Sequence, residues 1–215
     1  EYGEMVICCD GRKYWRKEFF EHYKGSRKKN RDASALDWKL IFDTLSEMRE
    51  DLAKYFPYKV LHVEAAEADD IIAVMAKWLQ SNRQCIQGLV EEPATTQEIK
   101  DFMVEHIVKG DTGDGVPNIL SQDNIFMIAE RQKTVSSKRL SEFIEKGFAA
   151  CRDDTERRNW HRNSTLVDFQ HIPETVTNNI VDAYLNSSPQ GDKMSIMQYL
   201  IDNRCRLLLD DIEDF

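Results

Sequence analysis

The chain has 215 residues and a mass of 25.1 kDa, and 41% of it is apolar, enough for a real core in one large domain or two small ones. No apolar run approaches the roughly 20 residues that span a bilayer, and the charged opening EYGEM is unlike a secretory signal, so the expectation is a soluble intracellular protein. Five cysteines without CxxC spacing argue against a disulfide framework and a zinc knuckle. The formal charge of -9 is unevenly spread: residues 12–31 (RKYWRKEFFEHYKGSRKKNR) carry nine Lys or Arg against Glu18 and Glu21, a basic segment inside an acidic chain.

In chain order, MVICCD (residues 5–10) is a short apolar run ending in an acid, which predicts a buried strand with Asp10 at its C-terminal end. After the basic segment, Trp38, Ile41, Phe42, Leu45, Met48 and Leu52 recur at intervals of three and four, an amphipathic helix over 37–55 whose plainest role is packing. YKVLHV (58–63) reads as a second strand and EAAEADDIIAVMAKWL (64–79) as a helix following it. Alternation of strand and helix favours an α/β domain with a mostly parallel sheet. The periodicity fails between residues 81 and 96 and returns as a helix over 96–108, stopped by the glycine motif. Further helices are predicted over 119–131, 137–148, 173–184 and 194–200, so the second half is largely α.

Acids mark the candidate chemistry. Glu67, Asp69 and Asp70 open a helix, where the unpaired N–H groups and the helix dipole favour negative side chains. Three acids in four positions also repel one another, at about 4 kcal/mol for a pair 4 Å apart in an effective dielectric of 20, so a cation is the natural compensation. Mg²⁺ suits such a set because it binds through a few carboxylates and keeps several waters. In KGDTGDGV (109–116), Asp111 and Asp114 alternate with Gly110, Gly113 and Gly115; alone this would be an ordinary Asp-Gly turn. Carboxylates from several elements, without His or Cys ligands, suit two hard cations about 4 Å apart that activate water in phosphodiester hydrolysis.

The ordered motifs CDGRKYWR, YKGSRKKNR, EADD and KGDTGDGVPNI, continuing through NSTLVDFQHIPETVTNNIVDAY, resemble the structure-specific 5′ nucleases (flap endonucleases and 5′ to 3′ exonucleases), in particular the ribonuclease H branch of T4-like bacteriophages. The resemblance covers nearly the whole chain. It implies a PIN-like α/β fold with a largely helical C-terminal part containing a helix-three-turn-helix motif, divided as an α/β nuclease core over 1–108, with a basic arch at about 12–34, and a helical region over 109–215. It further implies Mg²⁺ at two sites, with Mn²⁺ as a substitute: Asp10, Glu67, Asp69 and Asp70 as metal-binding catalytic acids, and Asp111 with Asp114 as the distal ligands. Gly113 and Gly115 would let backbone N–H groups approach a duplex phosphate, with K⁺ as a bound monovalent ion.

By the same resemblance the basic segment is the arch through which a single-stranded 5′ end passes. Lys13 and Arg16 would face the active site, Lys24 and Arg27 would contact the scissile phosphate region, and Lys28, Lys29 and Arg31 would attract the strand. Tyr14, Trp15, Phe19, Phe20 and Tyr23, interleaved with the cations, suit base stacking, whereas the plainer reading of a charge run is a solvated helix face. Lys133, Lys138 and Arg139 would extend the duplex track. The implied function is a Mg-dependent 5′ to 3′ exonuclease and flap endonuclease with ribonuclease H activity, removing RNA primers during phage DNA replication in the cytoplasm of an infected host. Its partners would be DNA flaps, 5′ ends, RNA–DNA hybrids and replication proteins, and it would act as a monomer away from membranes.

Two elements of the family pattern lack counterparts: an opening strand ending in Asp ahead of residue 1, and a strand with an SSDxDF-like acid pair between the EADD helix and the glycine motif. The expectation is that the complete gene product exceeds 25.1 kDa and that unrelated ends meet near residues 82–88. The alternative is a chain short of three metal ligands, a flap- or duplex-binding module of the same fold that does not cut. An unrelated acidic α/β phosphatase would lack a nucleophile motif and leave the basic aromatic segment unexplained.

Overall fold

The computed structural model describes residues 4–82 and 95–214. Their elements in chain order are β1 (Val6–Cys9), α1 (Trp15–Phe19), α2 (Gly25–Asp32), α3 (Trp38–Tyr55), β2 (Lys59–His62), α4 (Ala68–Ser81), α5 (Thr96–Lys109), α6 (Ser137–Lys146), α7 (Asp154–Val167), α8 (Glu174–Asn186), α9 (Lys193–Asp202) and α10 (Arg206–Asp210), with short 3₁₀ turns at Gly147–Ala150, Phe169–His171 and Ile212–Asp214. The chain gathers into two compact units, one from Glu1–Tyr14, Leu36–Gln87 and Glu174–Phe215, the other from Trp15–Ala35 and Gly88–Pro173. No helix among the described residues is long and apolar enough to cross a membrane. The junction expected near residues 82–88 falls, from residue 83 on, outside the described residues, as does Cys85.

In the first unit β1 and β2 pair in parallel, Val6 opposite Lys59 and Cys9 opposite His62, so the α/β arrangement is present as a small parallel sheet among helices. Leu61, Val63, Ala66, Ile71, Val74, Met75, Val176 and Ile180 are buried in this unit, and Trp78 meets Tyr184 edge to face across α4 and α8. A second cluster joins Phe56, Ile196 and Leu200 to Leu52, Tyr55 and Tyr199. The side chain of Asp37 caps α3 by accepting the Leu40 N–H at 3.0 Å. The helix itself departs from its expected packing role. Leu40, Phe42, Leu45 and Met48 are all about half exposed or more, and the cluster engages α3 through Leu52 and Tyr55 at its C-terminal end.

In the second unit α5 opens with a reciprocal Thr95–Glu98 capping box and α6 with Ser136 accepting from the Arg139 N–H. Val108, Ile119, Phe143, Ala150 and Cys151 form a core, with Trp160 stacked 5.7 Å from Phe143. The helix expected over 119–131 is instead a run of separate turns. Polar side chains there bond the backbone a helix would need: Asn118 Oδ1 accepts from Leu120 N–H, Asn118 Nδ2 donates to Lys133 O, and Ser121 Oγ accepts from Lys133 N–H. Ala129 ends the run in the left-handed region at φ 56°.

Candidate active site and nucleic-acid interface

The end of β1 is strapped to the start of α4. Gly11 N–H donates to Ala66 O at 2.8 Å, and a Cβ on Gly11 would meet the carbonyls of Ala66 and Val63 at 2.7 Å, so only glycine permits this approach. The exposed carboxylate of Asp10 is thereby set over the helix start, where Oδ1 accepts the Ala68 N–H at 2.8 Å. Glu67 is the N-cap and forms a reciprocal box with Asp70, whose Oδ2 accepts the Glu67 N–H at 3.1 Å. Both are buried, whereas Asp69 in the same turn is exposed, as is Lys13. The structure thus brings Asp10 together with the EADD turn, two elements 58 residues apart in sequence.

His62, whose ring bonds the Asp10 backbone, has its pKa pushed down by burial and by the nearby Arg49 and Arg12, against the opposing pull of that bond. Burial, with Cys9 beside Cys8 and Asp10 beside Cys9, pushes both thiols up and keeps them protonated, although Arg49 opposes this at Cys9. The oxygen-only donor set of Asp10, Glu67, Asp69 and Asp70 matches Mg²⁺ by chemistry. It does not form a ready cage: among the described residues no three His, Cys, Asp or Glu gather closely enough to hold a metal ion. The helix start takes one oxygen each of Asp10, Glu67 and Asp70 as acceptors for its N–H groups.

The other two expected ligands, Asp111 and Asp114, belong to the second unit. Asp111 and Val116 exchange two backbone hydrogen bonds, of 2.9 and 2.7 Å, closing a loop around TGDG. Within it Asp111 Oδ1 accepts the Asp114 N–H at 3.1 Å, and His106 Nε2 lies 3.9 Å from Asp111 Oδ2. Gly110 (φ +67°) and Gly115 (φ +73°) both occupy the left-handed region. Gly113 is exposed. Gly115 is buried against the backbone of the basic segment, where a Cβ would lie 3.2 Å from His22 O and 3.5 Å from Lys24 N, and its own N–H donates to Thr112 O at 3.3 Å. Of the two glycines expected to face a phosphate, Gly113 is thus the open one.

The basic segment is helical, as α1 and α2, yet three of its five expected stacking aromatics are turned inward. Trp15, Phe20 and Tyr23 are buried, and Phe19 is 49% exposed. Arg16, expected to face the active site, is itself buried: its Nε donates to Leu166 O at 2.8 Å and its guanidinium lies 4.6 Å from the Trp15 ring. Lys24 and Arg27 flank the start of α2 and both reach Asp114, at 3.6 and 2.6 Å. Lys28 and Lys29 are exposed and Arg31 half-buried. Lys133 and Lys138 are exposed, but the buried Arg139 bonds Glu142 at 2.7 Å, pairs with Glu156 and lies 4.3 Å from the Phe143 ring, so its charge faces the interior.

Sequence reasoning overlooked α7. Asn159, Arg162 and Asn163 lie on one buried face of this helix, and all three are aimed at the backbone that follows the glycine motif. Asn163 Nδ2 donates to Ile107 O (2.7 Å) and Pro117 O (2.8 Å), Asn159 Nδ2 to Ile119 O (2.8 Å), and Arg162 Nη2 to Pro117 O (2.9 Å), while Arg162 also pairs with Asp123. Burial lowers the Arg162 pKa and the Asp123 carboxylate opposes that shift. The three side chains staple the irregular 117–123 segment where no helix or strand ladder can satisfy its carbonyls.

Two family models match the chain in succession. Residues 1–90 match a family model described as the 5'-3' exonuclease N-terminal resolvase-like domain, and residues 96–215 match one described as the T4 RNase H C-terminal domain. The chain is 28% identical to the Ribonuclease H of Enterobacteria phage T4 in an alignment of 247 positions covering 100% of this chain and 80% of that protein. Because the alignment is longer than the chain, the phage T4 protein carries positions that this chain lacks. Matched along nearly its whole length by these two domains, the chain belongs to the 5′-3′ exonuclease family of nucleases, in the T4 ribonuclease H group.

Proposed function

We propose that the protein is a Mg²⁺-dependent 5′ to 3′ exonuclease and flap endonuclease with ribonuclease H activity, hydrolysing phosphodiesters at 5′ ends and flaps and removing RNA primers during phage DNA replication. The carrying observation is the bond from Ala68 N–H to Asp10, which sets the strand-end acid on the helix turn that also bears Glu67, Asp69 and Asp70, in a chain matched by both domains of the family. These four acids are assigned to Mg²⁺, with Mn²⁺ as a substitute, and Asp111 to a second ion. Because Mg²⁺ completes its shell with water and substrate oxygens, a site of one or two carboxylates is enough to engage it.

Lys13, Lys24, Arg27, Lys28, Lys29 and Arg31 are assigned to the 5′ strand, and Gly113, Lys133 and Lys138 to the duplex, with K⁺ at the glycine turn. Arg16 and Arg139, held inside by Leu166 O and by Glu142 and Glu156, act through the elements they brace. In this reading the functional division follows chain order, a nuclease core over 1–108 and a duplex-binding helical part over 109–215. The protein acts as a monomer in the host cytoplasm alongside replication proteins. A second reading, a binding module that does not cut, draws on the absence of a three-acid metal group among the described residues.

A 5′-labelled flap and an RNA–DNA hybrid, each incubated with Mg²⁺ and with EDTA, test both readings. Mg²⁺-dependent release of short 5′ products is expected, and Asp69→Asn should abolish it while flap affinity stays unchanged. Tight flap binding without cleavage would select the second reading, and equal loss of cleavage and binding in Asp69→Asn would remove the metal assignment.

A further inference from the structure

Asp114 was expected to hold a metal, yet each of its polar groups is already engaged. Oδ2 accepts the Tyr23 hydroxyl at 2.8 Å, and Oδ1 accepts the Arg27 guanidinium at 2.6 Å with the Lys24 ammonium 3.6 Å away. Its main-chain carbonyl accepts the Lys24 N–H at 2.7 Å, and its N–H donates to Asp111 Oδ1 at 3.1 Å. Tyr23 is only 3% exposed, so its hydroxyl bond is made in a sheltered setting where polar groups must be paired.

The partner element explains why such a tie is required. α2 has eight residues, buries none of them, and is preceded by the N-cap Lys24, which has the left-handed φ of 53° and makes no side-chain cap bond. A helix this short and this exposed does not hold itself together in water. Asp114 meets the start of α2 through both its side chain and its main chain, and a carboxylate there is also favoured by the helix dipole. Gly115, next in the chain, lacks the Cβ that would crowd His22 O at 3.2 Å, so the glycine turn can lie directly against the 22–25 backbone.

We infer that Asp114 is a positioning residue that anchors Lys24, Arg27 and the start of α2 on the glycine turn for the substrate phosphate, and that it is not a metal ligand. The inference rests on the nuclease reading and reassigns one acid within it. A carboxylate bonded to a phenol and a guanidinium and lying near an ammonium would have to surrender those donors to coordinate an ion.

The experiment uses the intact chain with Asp114→Asn, Tyr23→Phe, Arg27→Gln and the double variant Asp114→Asn/Arg27→Gln. Steady-state cleavage of a 5′ flap is followed over a range of Mg²⁺ concentrations, and backbone hydrogen exchange is measured on the metal-free proteins. Asp114→Asn should lower kcat/KM on the order of 10- to 100-fold, as expected for a misplaced phosphate-binding pair, without recovery at high Mg²⁺. On the Arg27→Gln background the same change should cost less than about twofold, because the two residues act as one unit. Amides of residues 25–32 should exchange faster in both Asp114→Asn and Tyr23→Phe, with no metal present.

Recovery of Asp114→Asn by excess Mg²⁺, independent effects in the double variant, or unchanged exchange in α2 would each overturn the assignment. Tyr23→Phe removes a single hydroxyl and keeps the exchange test decisive if Asp114→Asn fails to fold. If the wild-type chain cuts no flap, the nuclease reading falls, whereas the exchange measurements still decide whether Asp114 is the anchor.

Discussion

Replacing Asn163 with Ala tests the network that shapes the segment after the glycine motif. Asn163 is fully buried and makes three hydrogen bonds: Nδ2 to the carbonyls of Ile107 and Pro117, and Oδ1 from Arg162 Nε at 2.9 Å. Pro117 O would still accept from Arg162 Nη2. Ile107 O would be left alone, because the Asp111 N–H that would continue α5 is turned to Val116 O instead. Arg162 Nε would also lose its acceptor in the interior. Two orphaned buried groups at about 1–3 kcal/mol each, the charged one toward the top, give a loss of about 4 kcal/mol. For a chain of this size that is a fall in Tm on the order of 10 °C. Urea unfolding followed by circular dichroism supplies the value, with Asn163→Leu as a control of similar volume. Leu restores bulk but no donors, so it should be nearly as damaging as Ala. A loss below about 1 kcal/mol for Ala, or recovery with Leu, would refute the claim that hydrogen bonding by α7 holds the loop.

Two further outcomes follow from exposed cations and a half-buried phenol. Lys28→Ala/Lys29→Ala should make the salt dependence of flap binding shallower by about 0.7 for each single-strand phosphate that is no longer neutralised, and an unchanged slope would reduce these lysines to a solvated helix face. Burial, with the hydroxyl donating to Asp51 at 2.9 Å, pushes the Tyr199 pKa up to about 12. The folded value lies above the unfolded one of about 10, so the contribution is intact below pH 10 and is lost as pH rises from 10 toward 12. Denaturant midpoints measured across that window should fall less steeply in Tyr199→Phe than in the wild type, and parallel curves would show that Tyr199 does not couple to folding.

Elements whose apolar residues meet a core were legible from their spacing. VICC and KVLH became the paired strands, and Ile71, Val74 and Met75 are the buried apolar positions of the predicted α4. Spacing failed where side chains claimed the backbone and where nothing covered the apolar face. Ile119, Ile125, Phe126 and Ile128 suit a helix, but Asn118 and Ser121 compete for the backbone, and competition between a side chain and a helix carries no period. α3 has a clear apolar stripe in its sequence, yet much of that stripe is exposed. Amphipathicity states which face would be buried and is silent on whether anything covers it.

A similar distinction separates the two groups of candidate residues. Asp10 and the EADD turn could be placed from sequence because a strand end and a helix N-terminus are local features, and a parallel pair of strands carries one to the other. Asp114 could not, since its partners Tyr23 and Arg27 lie 91 and 87 residues away and an acid in a glycine turn looks the same whether it holds a cation or an arginine. α7 was invisible for the opposite reason: its inward face reads Asn159, Arg162, Asn163, and a search for apolar periodicity assigns such residues to solvent. Both failures come from partners that lie far away in sequence, and for α7 the partners are backbone groups. A polar side chain enters the interior when backbone groups there lack partners, and those groups belong to segments far away in sequence. The irregular 117–123 segment, which no sheet or helix satisfies, is therefore what draws Asn159, Arg162 and Asn163 inward, while the glycine motif ahead of it is held by Tyr23 and Arg27 through the Asp114 carboxylate.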